Sequence, residues 1–218
     1  MLFEIIDNYL QYFQIGTALL GTWYAIKRPS KILIYFVCFF WYACLNEFFA
    51  TYYGTHIQID QNAIVYNVYY LVFFGMLYYI LGAVMQHKIA KYIIGVWFAI
   101  YILLIVVETT LWELDYFESR QVVPYIFAGI GVLIGVLCFY LEQLLSLKVN
   151  RVENKISFWI LTSYFLYLLG FVPVKIGQNY YASQDGFHYL LNVFFVMTLL
   201  TNLLLIIGFI WTGRKKAI

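Results

Sequence analysis

Long apolar runs, broken by short polar ones, recur along the whole chain. A helix that crosses a hydrocarbon core of about 30 Å needs about 20 mostly apolar residues. Seven runs meet that length: 10–27, 31–53, 65–86, 91–112, 121–146, 156–176 and 187–212. The breaks are "KRPSK" (27–31), "QHKIAK" (86–91), "LKVNRVENK" (147–155) and the polar stretches 54–64, 113–120 and 177–186. Lipid offers no partner to backbone N–H and C=O groups, so runs of this length must satisfy them internally as helices. The pattern therefore predicts an all-α, polytopic membrane protein in which 1–218 forms one seven-helix domain. No soluble domain fits between the spans.

Composition fits that solvent. Of the 218 residues, 64% are hydrophobic and 11% charged, against about a quarter charged in a soluble domain. The 22 Tyr and 20 Phe suit interfacial belts and an interior that needs adaptable hydroxyls. A net charge of +2, with no basic stripe beyond Arg214-Lys215-Lys216, argues against nucleic-acid binding. The opening "MLFEIIDNYL" carries Glu4 and Asp7 but no Lys or Arg. It lacks the positive n-region of a secretory signal, so the first helix is expected to be retained. Cys38, Cys44 and Cys138 lie in apolar runs without a CxxC pair, which predicts small hydrophobes rather than a disulfide scaffold or a thiolate metal site.

Charge sets an orientation. With the N-terminus outside, Lys27, Arg28, Lys31, Lys88, Lys91, Lys148, Arg151, Lys155, Arg214, Lys215 and Lys216 are cytoplasmic. Of the 13 Lys and Arg residues, only Arg120 and Lys175 fall on the other side. This is the positive-inside bias of a bacterial inner-membrane protein. Most acids fall outside: Glu4, Asp7, Asp60, Glu113, Asp115, Glu118 and Asp185.

A weak internal similarity relates the first three spans to the last three. "KILIYFVCFFWY" (31–42) aligns with "KISFWILTSYFLY" (155–167), and "NVYYLVFF" (67–74) with "NVFFVMTL" (192–199), at a near-constant offset. The expected units are 10–86 and 121–212, with 91–112 as a linker helix. Such parallel repeats are one route to transporter folds. In topology this 3+1+3 layout resembles SWEET-type sugar carriers and PnuC-type vitamin carriers. The Pro-Gln pair of PQ-loop proteins and the tryptophan-rich motif of PnuC are absent, and Pro29, Pro124 and Pro173 do not form the four-proline set of SWEETs. The resemblance therefore carries no residue across. "NVYYLVFF", "NKISFWILTSYFLYLLG" and "HYLLNVFF" before "GRKK" resemble a group of uncharacterised small bacterial seven-helix membrane proteins, some encoded near sensor histidine kinases. That resemblance implies a signalling or accessory role and no catalytic residue.

Two other seven-helix classes fit poorly. A retinal Schiff base needs a lysine in the middle of the last helix, and 187–212 has none. Intramembrane hydrolases gather histidines on one face, whereas here His56 and His188 fall outside and His87 inside.

"WYACLNEFFATYYG" (41–54) holds the most unusual charge. Glu47 lies sixteen residues beyond Lys31, about 24 Å along a helix and in the outer third of the core. Ionisable residues within spans mark functional sites by default. The expected site is an outward-facing pocket for a ligand or proton, lined by Glu47, Asn67, Tyr70, Glu108, Lys175, His188 and Asn192. The competing reading makes Glu47 structural, paired with Lys175 or bonded to neighbouring Tyr and Asn. For Glu108, simple contact with interfacial water competes in the same way. No metal is expected; His56, Asp60, Asp185 and His188 would be the donors if two loops converged. "GVLIG" (131–135) permits close helix packing. Trp23, Trp41, Trp97, Trp112, Trp159 and Trp211 mostly sit near helix ends and suit interface anchoring.

No nucleotide motif, nucleophile constellation or cofactor site stands out. The expected function is a non-enzymatic membrane module, either a sensor or the membrane subunit of a signalling or export complex. It would contact the lipid bilayer, a protein partner in or under the membrane, and a small-molecule ligand. A small-solute transporter of 3+1+3 architecture is the alternative, and a membrane-embedded enzyme the third reading.

Overall fold

The computed structural model describes residues 2–53, 56, 62–111, 116–117, 119–145, 152–181 and 187–214. Side chains are described for 10–50, 52–53, 56, 62–111, 116–117, 119–145, 152–177 and 192–213. Among these residues the regular structure is all helical, with no strand. Seven α-helices follow one another: α1 (Leu2–Lys27), α2 (Lys31–Tyr52), α3 (Ala63–Val84), α4 (Lys88–Thr110), α5 (Val123–Leu145), α6 (Ile156–Tyr181) and α7 (Phe187–Arg214). A 3-10 turn, Val152–Asn154, precedes α6.

Six helices, α2 to α7, contain stretches long and apolar enough to cross a membrane. The chain is thus built as an integral membrane protein. α1 stands apart because its described part mixes Gln11, Gln14, Thr17 and Thr22 into the apolar run. Lipid contact explains how these helices present themselves. α4 exposes Ile89, Tyr92, Ile93, Val96, Ile100, Leu103 and Val106, a face that only an apolar solvent tolerates at this density.

The chain divides into two compact units. One comprises Met1–Cys44 with Gln143–Ile218, the other Leu45–Glu142. The first therefore gathers α1, the start of α2, α6 and α7; the second gathers the end of α2 with α3, α4 and α5.

In the first unit α7 packs against both α6 and α1. Small residues make this approach close. A Cβ at Gly208 would overlap the Trp159 side chain, and one at Gly170 would overlap Met197. Polar groups join the helices where they meet. The Trp41 indole donates to Thr22 Oγ1 at 2.8 Å, and the Thr201 hydroxyl lies 3.2 Å from the Ser163 carbonyl. Arg28, just beyond α1, donates to the Thr212 and Gly213 carbonyls. Those carbonyls lie in the last turn of α7, where no further turn is available to satisfy them and a cation is favoured.

In the second unit α5 lies against α3 and α4 through "GVLIG". A Cβ at Gly131 would overlap the Trp97 indole and the Tyr78 hydroxyl, and one at Gly135 would meet Ile94 and Leu81. The motif thus serves packing within the unit. It lets Tyr78 donate to the Ala128 carbonyl and the Trp97 indole to the Phe127 carbonyl, each at 3.0 Å. Trp97 is accordingly a packing residue inside α4. At an interface, Trp23 fits the expected anchor better: it is 56% exposed, with the Lys27 ammonium 3.9 Å above its ring.

Candidate functional site

The buried polar residues of the Leu45–Glu142 unit, Asn46, Asn67, Glu108 and Gln121, concentrate at one end. There α2 finishes, α3 begins, α4 finishes and α5 begins. Buried polar groups must find partners, and these do so largely in the connecting backbone.

Asn67 is the hub. It lies one turn into α3 and is fully buried. Its Nδ2 donates to the carbonyls of Tyr116 (2.7 Å) and Ser119 (2.9 Å). Its Oδ1 accepts from the Gln121 N–H (3.3 Å) and the Tyr125 hydroxyl (2.9 Å). Two donors and two lone pairs are the whole capacity of an amide side chain. Asn67 therefore stitches the α4–α5 connection onto α3. The Tyr125 ring packs 4.7 Å from Tyr70, so Tyr70 belongs to the aromatic wall behind this hub.

Glu108, in the last turns of α4, is 3% exposed. The N–H groups of Val122 and Val123 face its carboxylate. These are the first donors of α5, which have no partner within their own helix. A carboxylate is favoured at this positive end. Glu142, near the end of α5, returns the arrangement: it accepts the N–H groups of Gln86 (2.9 Å) and His87 (3.3 Å) ahead of α4. Two antiparallel neighbours thus carry an acid near each C-terminal end that serves the start of the other.

This polar interior is not fully satisfied. Tyr101 Oη, Glu108 Oε2 and Gln121 Oε1 are buried without a hydrogen-bond partner, as is Asn46 Nδ2. Gln121 Nε2 reaches the Ile105 carbonyl at 3.4 Å. Unpartnered buried polar atoms are costly, and a group of them is a place for ordered water or a polar ligand.

Glu47 sits at the rim of the same end, half-buried. The Tyr66 hydroxyl donates to its Oε2 at 3.2 Å. Arg120 lies over the other part of the same residue, its guanidinium carbon 4.6 Å from the Tyr66 ring centre, and donates to Asn62 Oδ1 at 2.7 Å. Tyr66, Arg120 and Glu47 are all within electrostatic reach of Tyr70. An acid and a guanidinium are therefore held on the two sides of one phenol.

Of the expected pocket residues, Glu47, Asn67, Tyr70 and Glu108 come together at this end. The others belong to the Met1–Cys44 and Gln143–Ile218 unit. Lys175 is buried there, at 5% exposure, with its ammonium 5.7 Å from the Phe171 ring centre. Asn192, which the sequence similarity aligns with Asn67, is exposed. The His188 side chain lies outside the described residues, as do Asp60 and Asp185. His56 is exposed and stacks on Tyr52 at 4.7 Å. Among the described residues no group of three His, Cys, Asp or Glu could hold a metal ion.

Tyr66, Tyr101, Arg120, Gln121 and Tyr125 had no place in the expected pocket. Arg120 carried a signal, being one of two cations on the acidic side of the charge map. Tyr66 and Tyr125 were hidden among 22 tyrosines.

Comparison with family models, with curated proteins and with solved structures finds no match to this chain.

Proposed function

We propose that this chain is a non-enzymatic multi-pass protein of a bacterial inner membrane, serving as the sensing or partner subunit of a signalling or export assembly. All seven helices span in this reading, with the N-terminus outside and the C-terminus in the cytoplasm. The Glu47–Tyr66–Arg120 rim is then the outward-facing ligand contact, and it carries the proposal. Behind it, the Asn67 hub and the Glu108 carboxylate are committed to fixing the connecting backbone. At the rim, opposite charges are held at one phenol, near enough together for a small polar ligand that carries both.

The test is a thermal-stability screen of the full chain in lipid nanodiscs, with glycine betaine and free amino acids as probes. A rise of a few degrees with one zwitterion, lost in both Glu47→Gln and Arg120→Gln, supports the reading. No shift with any zwitterion, in a preparation that unfolds cooperatively, overturns the ligand contact.

One observation favours transport as a second reading: the unpartnered Tyr101, Glu108 and Gln121 atoms make the interior of the unit polar. Substrate-dependent uptake by proteoliposomes, lost in Gln121→Leu, would select it over the sensing module.

A further inference from the structure

The Met1–Cys44 and Gln143–Ile218 unit contains a cavity of about 740 Å³, within which Lys27, Arg28, Ser30, Asn154 and Thr212 supply the polar lining. This is in the size range of small-molecule sites. The remaining wall is Tyr24, Pro29, Leu33 and Ile156. Among the described residues the lining holds two cations, three hydroxyls (Tyr24, Ser30 and Thr212) and an amide, and no carboxylate.

The cations are held rather than loose. Arg28 places Nη1 and Nη2 on the Thr212 and Gly213 carbonyls, which uses two of its five donors. The others remain for a ligand. Lys27 is steadied over the Trp23 ring at 3.9 Å. Two long helices also start at this cavity. α2 begins at Lys31 behind Ser30, whose hydroxyl accepts the Leu33 N–H at 3.3 Å. α6 begins at Ile156 behind Asn154. Both starts add positive potential and N–H donors to what the side chains supply. Lys31 and Lys155 stand exposed beside it in sequence.

The cavity also lies where apolar spans end. The apolar stretches Lys31–Ala50 and Ile156–Gly177 begin at its edge, and Asn192–Gly213 ends there. In a bilayer that is headgroup depth, where basic recesses between helices take anionic headgroups.

We propose that this cavity binds a phosphate monoester or diester anion, supplied by the headgroup of an anionic phospholipid. Lys27 and the free donors of Arg28 meet the phosphate oxygens, while Ser30 and Asn154 hydrogen-bond the glycerol or ester side. The inference is independent of the ligand contact proposed for Glu47 and Arg120, and either can fail without the other.

The test uses the full chain in detergent, titrated with phosphatidylglycerol or phosphatidylcholine and read by native mass spectrometry and by melting temperature. Wild type should retain phosphatidylglycerol about tenfold better than phosphatidylcholine. The preference should survive about 0.5 M NaCl, at which purely exposed charges are screened. Lys27→Gln should remove most of the preference. The double variant Lys88→Gln/Lys91→Gln, which removes two exposed cations of the other unit, should leave it intact. A parallel arm replaces lipid by glycerol 3-phosphate and inorganic phosphate at matched ionic strength. Saturable stabilisation by these, equal to that by lipid and lost in Lys27→Gln, keeps the phosphate site but overturns the lipid as its source. Equal retention of the two lipids by wild type overturns the site. So does an equal loss in Lys27→Gln and in the control variant, because the attraction is then spread over the surface.

Discussion

At the scale of the residue, Asn67 shows how much one amide can organise. Replacing it by Ala leaves two carbonyls and one N–H without this partner and takes the closer of its two acceptors at residue 67 from the Tyr125 hydroxyl, the main-chain carbonyl at 3.5 Å remaining. Each buried polar group left unmade costs about 1–3 kcal/mol, so Asn67→Ala should destabilise the protein by about 3 kcal/mol or more, read as a lower unfolding midpoint in detergent. Asn67→Asp tests the donors separately. It keeps shape and the accepting oxygen but turns an oxygen toward Tyr116 and Ser119, and it should be no milder. A midpoint within about 0.5 kcal/mol of wild type for either variant would mean that the hub does not hold the connection. Asn67 was legible as a polar residue opening a span, and so entered the expected pocket. Its true partners were illegible because three of the four are backbone groups of a connection with no pattern of its own. The same holds for Glu108: depth along α4 placed it near a helix end, yet nothing in the sequence announces that Val122 and Val123 offer it their N–H groups.

At the scale of the element, the helices themselves were the legible part. The run 31–53 is α2 (Lys31–Tyr52), and 91–112 is α4 (Lys88–Thr110), because the need to satisfy every backbone group in lipid leaves one answer for such runs. Ends differ where helix continues into polar sequence: α1 starts at Leu2 rather than 10, and α6 runs to Tyr181 rather than 176. An apolar run marks hydrocarbon thickness, and a helix need not stop at that boundary. Helix pairing was less legible. "GVLIG" advertised a close approach but not its partners, which turn out to be Trp97, Tyr78, Ile94 and Leu81. Gly131→Ala should therefore cost about 1–3 kcal/mol, as overpacked sites do, because indole and phenol are both anchored by hydrogen bonds to α5. Gly95→Ala, where a Cβ meets nothing, should be neutral or stabilise by up to about 1 kcal/mol from helix propensity. Paired unfolding curves in one detergent decide it; equal effects would show that α5 does not pack through Gly131.

At the scale of the whole molecule, parity sets the topology, because seven spans put the termini on opposite sides of a membrane and six put them on the same side. α1 decides. Its 26 residues give about 39 Å of helix, more than a hydrocarbon core needs. Polar residues weaken its apolar signal, yet its two threonines are satisfied without water. The Thr17 and Thr22 hydroxyls return to the Phe13 and Ala18 carbonyls, and Thr22 also accepts the Trp41 indole. A hydroxyl bonded to its own helix costs little in lipid, so composition undercounts the ability of α1 to span. In the proposed orientation, Lys27, Arg28 and Lys31 hold its end on the cytoplasmic side. Single cysteines in a background with Cys38, Cys44 and Cys138 replaced by Ala test this with a membrane-impermeant thiol reagent on intact cells. His56→Cys is expected to react from outside, since His56 is exposed; Lys88→Cys is expected to react only after the membrane is opened. An added N-terminal cysteine should behave like position 56, and an added C-terminal cysteine like position 88. If the N-terminal and C-terminal cysteines label from the same side, α1 does not cross, and the outward assignment of Glu47 must then be carried by positions 56 and 88 alone.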